Sequence, residues 1–231
     1  MKNRASYSKL WKMREKSGKV WYELLLSSKV TILQGTKSFN PLKEMEGKPV
    51  GLTQIHSSII HQAQTDVKLV GDGLFTDKKG IIIYIKSADC LPIILYHPKK
   101  MVLAILHAGW KGTVLKIVKK FLLQMKENYN LILTDWQVAF GPCIDMKNYN
   151  VGKEVYELFK KEGLSGIYIR NHLYFLDLEE ANIKIMEEMG IKNFYSFPEK
   201  TYSSKNFYSH RKGKKVEISP PGKLIHSPSR Q

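Results

Sequence analysis

The sequence predicts an α+β protein, a single-domain layered mixed α/β fold in which sheets built from β-hairpins pack against helices. Apolar runs of strand length, bounded by turn residues, alternate with strongly amphipathic segments of helical length, which indicates layers of both kinds. The chain has 231 residues, of which 43% are hydrophobic, so it can bury a sizeable core. The sequence has no repeat and no linker that would divide it, and we therefore expect one domain over residues 1–231.

The clearest hairpin joins two strands that the sequence predicts over Leu91–Tyr96 and Met101–Leu106. The segment His97–Lys100 between them contains a proline and has the length of a hairpin loop. If the residues that flank this loop pair with each other, Cys90 lies directly opposite His107. Opposed residues of an antiparallel pair have Cβ atoms about 4.5–5.5 Å apart, so both side chains could reach one metal ion. A bulge between the strands would change this parity.

A third candidate ligand, His56, comes from elsewhere in the chain, and its spacing predicts nothing. Two imidazoles and one thiolate suit a borderline-soft metal, and three protein ligands leave a position open for water or substrate. The set predicts a metal-assisted enzyme whose metal ligands and catalytic residues are His56, Cys90 and His107. Each residue alone also has a structural explanation, because free cysteines and histidines are often ordinary core residues.

The segment after His107 predicts an anion site beside the metal. Gly109 and Gly112 belong to a turn that leads into an amphipathic helix from about Thr113. Free backbone N–H groups at a helix N-terminus bind phosphate or carboxylate groups. The alternative is that the two glycines only form a turn between a strand and a helix.

Three acidic residues have structural explanations with functional alternatives. Asp177 and Glu180 resemble a capping box that opens a helix to about Met189, so we expect Asp177 to be a helix cap. Asp72 lies between two glycines and is expected in a turn, with a role as general base as the alternative. Asp89 is expected either to be buried structurally or to reach the site through a bend in the chain.

The net charge of +16 would suit nucleic acid or phosphorylated substrates by its field alone. The lysines and arginines are spread along the chain, however, and no RNA-binding aromatic signature accompanies them. We expect a solvated basic surface with no specific nucleic-acid partner. The alternative is a basic nucleic-acid-binding protein with a structural metal site.

The two cysteines, Cys90 and Cys143, argue against a disulfide framework and for a reducing, cytoplasmic setting. No signal-peptide pattern is evident, and no apolar run approaches the roughly 20 residues needed to span a bilayer, so no membrane partner is expected. We expect Cys143 to be structural, with support of the site as the alternative. The basic tail from about residue 213 is expected to be mobile.

Four short motifs together resemble the YfiH-like family, which was once named the multicopper polyphenol oxidase or laccase domain. The motifs are Gln54-Ile55-His56, Ala88-Asp89-Cys90-Leu91-Pro92, His107-Ala108-Gly109-Trp110-Lys111-Gly112 and Gly141-Pro142-Cys143-Ile144. The resemblance extends through Tyr149-Asn150-Val151-Gly152 and Phe207-Tyr208-Ser209-His210-Arg211, and it covers residues 50 to 212. The chain departs from the family where a late Cys-Thr pair is replaced by Lys200-Thr201, and where the usual Gly-Gly-Val-Ser opening is not visible in residues 1–50.

The resemblance implies a zinc-dependent purine nucleoside phosphorylase that cleaves adenosine, inosine or methylthioadenosine with phosphate, and adenosine deamination as a companion activity. It implies zinc as the cofactor on the three predicted ligands. Lys111, Gly112 and Arg211 are the expected substrate contacts, since a guanidinium fork suits phosphate oxygens. A copper oxidase is a weaker alternative, because one cysteine and so few clustered histidines do not build several copper centres. We expect a monomer or a weak oligomer.

Overall fold

Two six-stranded sheets lie face to face in the computed structural model, which describes residues 10–213 and the backbone of residues 223–228. The first sheet has the strand order β1-β2-β3-β17-β9-β4. Its strands are β1 (Lys12–Lys16), β2 (Lys19–Ser27), β3 (Val30–Gln34), β4 (Lys48–Val50), β9 (Ile81–Lys86) and β17 (Lys223–Pro228). The neighbours pair antiparallel except β4 and β9, which are parallel.

The second sheet has the order β16-β12-β10-β11-β8-β6 and carries the candidate site at one end of its central hairpin. Its strands are β6 (Ile60–Gln62), β8 (Gly73–Thr76), β10 (Leu91–His97), β11 (Val102–Ala108), β12 (Gln137–Phe140) and β16 (Phe194–Tyr195). Every residue of β10 and β11 is buried, because both faces of this sheet are covered. This double burial explains why the two strands read as nearly continuous apolar runs.

Helices cover the outer face of the second sheet. They are α1 (Trp110–Val114), α2 (Ile117–Tyr129), α3 (Lys153–Lys161) and α4 (Leu178–Glu188). Two small sheets complete the structure, one from β13 (Asn150–Val151), β14 (Ile167–Arg170) and β15 (Leu173–Leu176), and one from β5 (Leu52–Thr53) and β7 (Leu69–Val70). Among the described residues, no helix combines the length and the apolar character that crossing a bilayer would require.

The two layers of core follow from the alternation of side chains along the central strands. Ile93 and Leu95 of β10 face the helices and pack with Phe121 and other residues of α2. Ile94 of β10 and Ile105 of β11 face the opposite way and pack against the first sheet. The predicted α+β layered architecture is confirmed.

The central hairpin has the predicted strands, but its predicted register is wrong by two residues. His97 pairs with Val102, and His107 lies opposite Pro92 rather than opposite Cys90. His97 continues the strand because its side chain is buried, and its Nδ1 accepts a hydrogen bond of 3.3 Å from the Lys100 amide in the turn. A shift of two residues leaves every side chain on the same face of the sheet. The prediction that Cys90 and His107 lie on one face is therefore unaffected by the change in register.

The helix predicted from about Thr113 begins earlier and is interrupted. Helix α1 starts at Trp110, and Lys116 then adopts a left-handed conformation with φ of 54° before α2 begins. The apolar periodicity does not reveal this break, because lysine rarely marks a left-handed turn. The helix beside the candidate site therefore has five residues, so the predicted phosphate site gains no support from it.

The predicted mobile tail contains a strand. Lys223–Pro228 pairs with β3 and β9 in the middle of the first sheet, which differs from the expectation for these six residues. A tail rich in lysine, proline and serine gives little sign of a central strand, because its pairing partners lie far away in sequence. Residues 214–222 and 229–231 lie outside the described part of the chain, and their mobility stays a prediction.

The capping box predicted for the fourth helix is confirmed as a cap. Asp177 precedes α4 in an extended conformation, and its Oδ1 accepts a hydrogen bond of 2.8 Å from the Glu180 amide. This bond satisfies one of the amides that a helix start leaves without a partner.

Replacing Asp177 with Ala should lower the free energy of unfolding by about 1 kcal/mol, because the cap is lost while the burial of α4 is unchanged. Urea titration at pH 7, followed by circular dichroism, measures this difference. The Asp177→Asn variant is the control and should keep wild-type stability, since asparagine caps helices equally well. Equal stability of the Ala variant and the wild type would contradict the assignment.

Candidate active site

The structure brings the three predicted ligands together at the open end of the central hairpin. His56 lies in the loop after β5, Cys90 directly precedes β10, and His107 is near the end of β11. One nitrogen of each imidazole and the Cys90 Sγ all lie within 4.8 Å of one another. His107 is buried, Cys90 is half-buried and His56 is exposed, so the cluster has one side toward solvent.

The paired register ends with Leu91 opposite Ala108, and extending it by one residue would set Cys90 opposite Gly109 and diagonal to His107. Diagonal neighbours on one face have Cα atoms about 7–8 Å apart, which is still within reach of long side chains. Gly109 makes this approach feasible, because a Cβ at that position would lie 2.7 Å from the Cys90 Sγ and 3.5 Å from the His56 Cδ2. The space that a side chain would fill is therefore used by the thiol and the imidazole.

The residues present fit a metal ion. Zinc bonds of about 2.3 Å to sulfur and 2.0–2.1 Å to nitrogen place tetrahedral ligand atoms about 3.4–3.6 Å apart. The three ligand atoms lie within 4.8 Å of one another, which is at most slightly more than zinc requires. Small rotations of the side chains would bring these atoms to the zinc spacing. Three ligands and an exposed side correspond to a site with one open position.

A buried carboxylate, that of Asp72, holds both histidines in place. It has no exposed surface, and its Oδ1 accepts hydrogen bonds from His107 Nδ1 at 2.9 Å and from the His56 amide at 3.1 Å. Its Oδ2 accepts from the amide and the hydroxyl of Ser57 at 2.6 and 2.7 Å. Because Nδ1 of His107 is engaged, its Nε2 is left for the cluster, as in the carboxylate–histidine pairs of metal sites.

These contacts shift the pKa values of the site. Burial alone would raise the pKa of Asp72, but hydrogen bonds from His107 and Ser57 lower it to about 2. Burial would lower the pKa of His107, but hydrogen bonds with Asp72 and Cys90 raise it to about 9. Burial would also raise the pKa of Cys90, and hydrogen bonds with His107 and His56 instead bring it to about 7. The thiolate, which is the form that binds metals, is thus accessible near neutral pH.

Asp72 has side-chain contacts that the sequence did not predict. The sequence predicted a turn for Asp72. It did not reveal the hydrogen-bond partners of the side chain, since these partners are 15 to 35 residues away in the sequence. The flanking glycines are the available signal. A Cβ at Gly71 would lie 2.8 Å from the carbonyl oxygen of Ile59, and a Cβ at Gly73 would lie 2.8 Å from Ile60 Cγ1. Other chain segments thus lie against the backbone on both sides of Asp72, and glycines on either side of an aspartate are consistent with such a buried position.

Asp89 takes the structural one of its two predicted roles. It is 8% exposed, and its backbone φ is 90°. Its Oδ1 accepts from Thr201 Oγ1 at 2.6 Å, and its Oδ2 accepts from Ser209 Oγ at 3.0 Å and from the Arg211 amide at 2.7 Å. The carboxylate next to a predicted ligand thus binds the segment that carries Arg211.

Arg211 is exposed and is connected to the loop of Cys90 through its amide bond to Asp89. Its Nη1 donates to the carbonyl oxygen and to Oδ1 of Asn150 at 2.9 and 2.8 Å. Its guanidinium carbon lies 5.2 Å from the centre of the Tyr149 ring. Among the described residues, its Nε and Nη2 have no hydrogen-bond partner, so one edge of the fork is available to an anion.

The other two predicted substrate contacts differ in exposure. The Lys111 side chain is exposed, and its ammonium lies 5.5 Å from the centre of the Trp110 ring. Gly112 is buried, and a Cβ there would lie 3.1 Å from the carbonyl oxygen of His107. The structure thus gives Gly112 a packing reason for the absence of a side chain, and its contact with substrate stays a prediction.

The second cysteine is not one of the three clustered ligands. Cys143 is 1% exposed, and burial raises its pKa to about 12. The ammonium of Lys200 lies 3.9 Å from its Sγ and 2.6 Å from a carboxylate oxygen of Glu179. Cys143 thus packs beside an ion pair, and its structural role stays a prediction.

Comparisons with known proteins show what the chain is similar to. The family model described as multi-copper polyphenol oxidoreductase laccase matches residues 34–224. A purine nucleoside phosphorylase of Clostridium acetobutylicum is 35% identical over 195 residues, which are 81% of each chain. The adenosine deaminase RL5 of an unknown prokaryotic organism is 36% identical over 125 residues, which are 52% of this chain and 45% of that protein.

The fold recurs in a solved structure. The hypothetical protein YfiH of Bacillus licheniformis has a TM-score of 0.82 to this chain, with 22% identity over 94% of this chain and 99% of the other. At this identity the likeness shows the fold, and the sequence matches show the family. Since the family model spans most of the chain, the protein belongs to the multi-copper polyphenol oxidoreductase laccase family, of which the YfiH-like fold is the structure.

Proposed function

We propose that the protein is a zinc-dependent purine nucleoside phosphorylase that uses phosphate to cleave adenosine, inosine or methylthioadenosine into a free base and a ribose 1-phosphate. The observation that carries the proposal is the cluster of His56, Cys90 and His107, which is open on one side and oriented by the buried Asp72. The similarity to the phosphorylase of Clostridium acetobutylicum supports the reaction class.

Zinc is the metal that this donor set suits best. A thiolate and two imidazoles with one open position are typical of zinc sites in which a water or a substrate atom takes the fourth place. Zinc would supply a Lewis acid at that position. Several copper centres would need further histidine or cysteine clusters, and residues 10–213 contain a single cluster of this kind.

The chain's own residues supply orientation and charge around the open position. Asp72 keeps His107 in the tautomer that directs Nε2 to the cluster. Arg211 offers the free edge of its guanidinium to phosphate, and Lys111 adds a nearby positive charge at the surface. These two cations favour an anionic co-substrate over water alone, which supports phosphorolysis rather than simple hydrolysis.

Deamination of adenosine is a companion activity in this proposal, supported by the similarity to the adenosine deaminase RL5. We place the protein in the cytoplasm, since its two cysteines are both free thiols. We expect a monomer or weak oligomer without a specific nucleic-acid partner.

Purified, zinc-loaded protein should release free base from inosine, adenosine or methylthioadenosine only when phosphate is present. His107→Ala should lower kcat/KM at least about 100-fold, because loss of a ligand disrupts the site. His61→Ala is the matched control. The Nε2 of His61 contacts the carbonyl oxygen of Val70 at 2.9 Å, outside the cluster. The kcat/KM of the His61→Ala variant should therefore stay near that of the wild type. Chromatography of base and deaminated product measures both reactions.

Absence of both base and deaminated product with zinc-replete protein would overturn the enzymatic proposal. The basic nucleic-acid-binding alternative would then be tested directly. A basic nucleic-acid-binding protein should bind RNA with an affinity that falls steeply as salt concentration rises, because its lysines and arginines release counterions from the RNA phosphates.

The protein should carry about one zinc per chain, since one three-ligand cluster is present. Cys90→Ala should remove most of it, because the thiolate is the charged ligand of the set. Cys143→Ala is the matched control and should keep the metal, since Cys143 is not one of the three clustered ligands. Elemental analysis of dialysed protein measures occupancy, and full zinc occupancy in Cys90→Ala would refute the ligand assignment.

Asp72→Asn should weaken zinc affinity about 10- to 100-fold, the usual cost of losing a carboxylate that orients a histidine ligand. Competition with a chromophoric chelator measures the affinity. Asp145→Asn serves as control, because the Asp145 carboxylate bonds only the Asn148 amide among the described side chains. An Asp72→Asn variant with wild-type affinity would show that the carboxylate does not position the ligands.

A further inference from the structure

The Asp89 carboxylate connects the loop that carries Cys90 to the segment that carries Arg211. It accepts three hydrogen bonds from that segment, two of them from side-chain hydroxyls of Thr201 and Ser209 and one from the Arg211 amide. The contacts span more than 110 residues of sequence, so they are a tertiary connection and not a local turn. Asp89 itself has a φ of 90°, a conformation that non-glycine residues rarely adopt.

The segment that ends at Arg211 is otherwise anchored at its beginning and middle. The Thr201 amide donates to the Cys143 carbonyl oxygen at 2.9 Å, and Phe207 is buried in the core between the two sheets. After Phe207, residues 208–213 contain no helix or strand, and the Arg211 side chain is exposed. The Asp89 carboxylate is therefore what holds the backbone of Arg211 in place.

We propose that Asp89 is a positioning residue that acts through Arg211, by fixing the arginine so that the free edge of its guanidinium presents two N–H groups to the phosphate co-substrate. This inference rests on the proposed function. The Nη1 atom is already held by Asn150, so the backbone bond to Asp89 and the side-chain bonds to Asn150 fix both ends of the arginine. An arginine held in this way loses little conformational entropy when it binds an anion.

The geometry does not favour a direct chemical role for Asp89. Both of its oxygens already accept hydrogen bonds, three in total, and the residue is nearly buried. Three of the roughly four acceptor positions of the carboxylate are thus occupied, and little of its surface is left to contact substrate or water. In this proposal the effect of Asp89 on the reaction passes through the groups that it holds.

Asp89→Asn tests the proposal, because its amide carries no charge: even if Thr201 turns to accept from the new NH2 group, the Arg211 amide loses its charge-assisted hydrogen bond. The variant should bind inorganic phosphate about tenfold more weakly by calorimetry, the effect of one lost charge-assisted hydrogen bond. The KM for phosphate should rise by a similar factor while kcat at saturating phosphate changes less than about twofold. Zinc content should equal that of the wild type.

A double-mutant cycle separates this role from a general loss of stability. Arg211→Gln should also weaken phosphate binding, and the double variant Asp89→Asn/Arg211→Gln should bind phosphate no more weakly than Arg211→Gln alone, because Asp89 acts only through that arginine. Asp177→Asn, a conservative change at a helix cap remote in sequence, is the matched control and should leave the phosphate KM unchanged.

Additive effects in the double variant, or loss of zinc from Asp89→Asn, would overturn the proposal, since either would show that Asp89 supports the metal loop instead. If Asp89→Asn does not fold, Ser209→Ala provides the test, because it removes one bond beside Arg211. It should raise the phosphate KM about two- to threefold, and an unchanged KM would overturn the proposal. A wild-type protein with no phosphorolysis, by contrast, would overturn the proposed function itself.

Discussion

The buried carboxylate of Asp72 accepts hydrogen bonds from the His107 side chain and from the backbone of the loop that carries His56, and the arrangement of the candidate metal ligands depends on it. A carboxylate without exposed surface is stable only when hydrogen bonds and nearby positive charge replace the water that it has lost. His107 and the amides of the loop meet this need. The same bonds that stabilise the charge therefore orient two of the three ligands.

A second carboxylate, that of Asp89, holds another segment of the chain. It lies directly before Cys90 and accepts from the Arg211 amide, while the Arg211 side chain donates to Asn150. Two carboxylates thus fix the candidate residues, Asp72 the ligand cluster and Asp89 the arginine that we propose to bind phosphate. Both carboxylates act on residues distant in sequence, and the two-sheet core provides the rigid support on which such distant contacts keep their geometry.

Two groups of positively charged side chains can be distinguished, those that form ion pairs on the surface and those that lie near the candidate site. Some surface lysines form exposed ion pairs, such as Lys116 with Glu162 at 2.9 Å, which contribute little to stability. Near the site, Lys120 donates to Ser58, two residues after His56, and Lys111 lies four residues after His107. A positive field at the entrance attracts anions, which fits the proposed phosphate co-substrate better than a neutral one.

The sequence by itself determined the layered α+β class and the central hairpin, because apolar periodicity is a local property of the chain. It also predicted His56, Cys90 and His107 as ligands from their chemistry, but the position of His56 beside the other two came from the tertiary structure. It misplaced the hairpin register by two residues, since the choice between neighbouring registers depends on the burial of His97 and on the turn geometry. Only the tertiary structure decided the roles of Asp72 and Asp89 and the central place of Lys223–Pro228. Their partners come from other strands and loops, and neither the spacing nor the type of a residue determines which distant donors or strands will meet it.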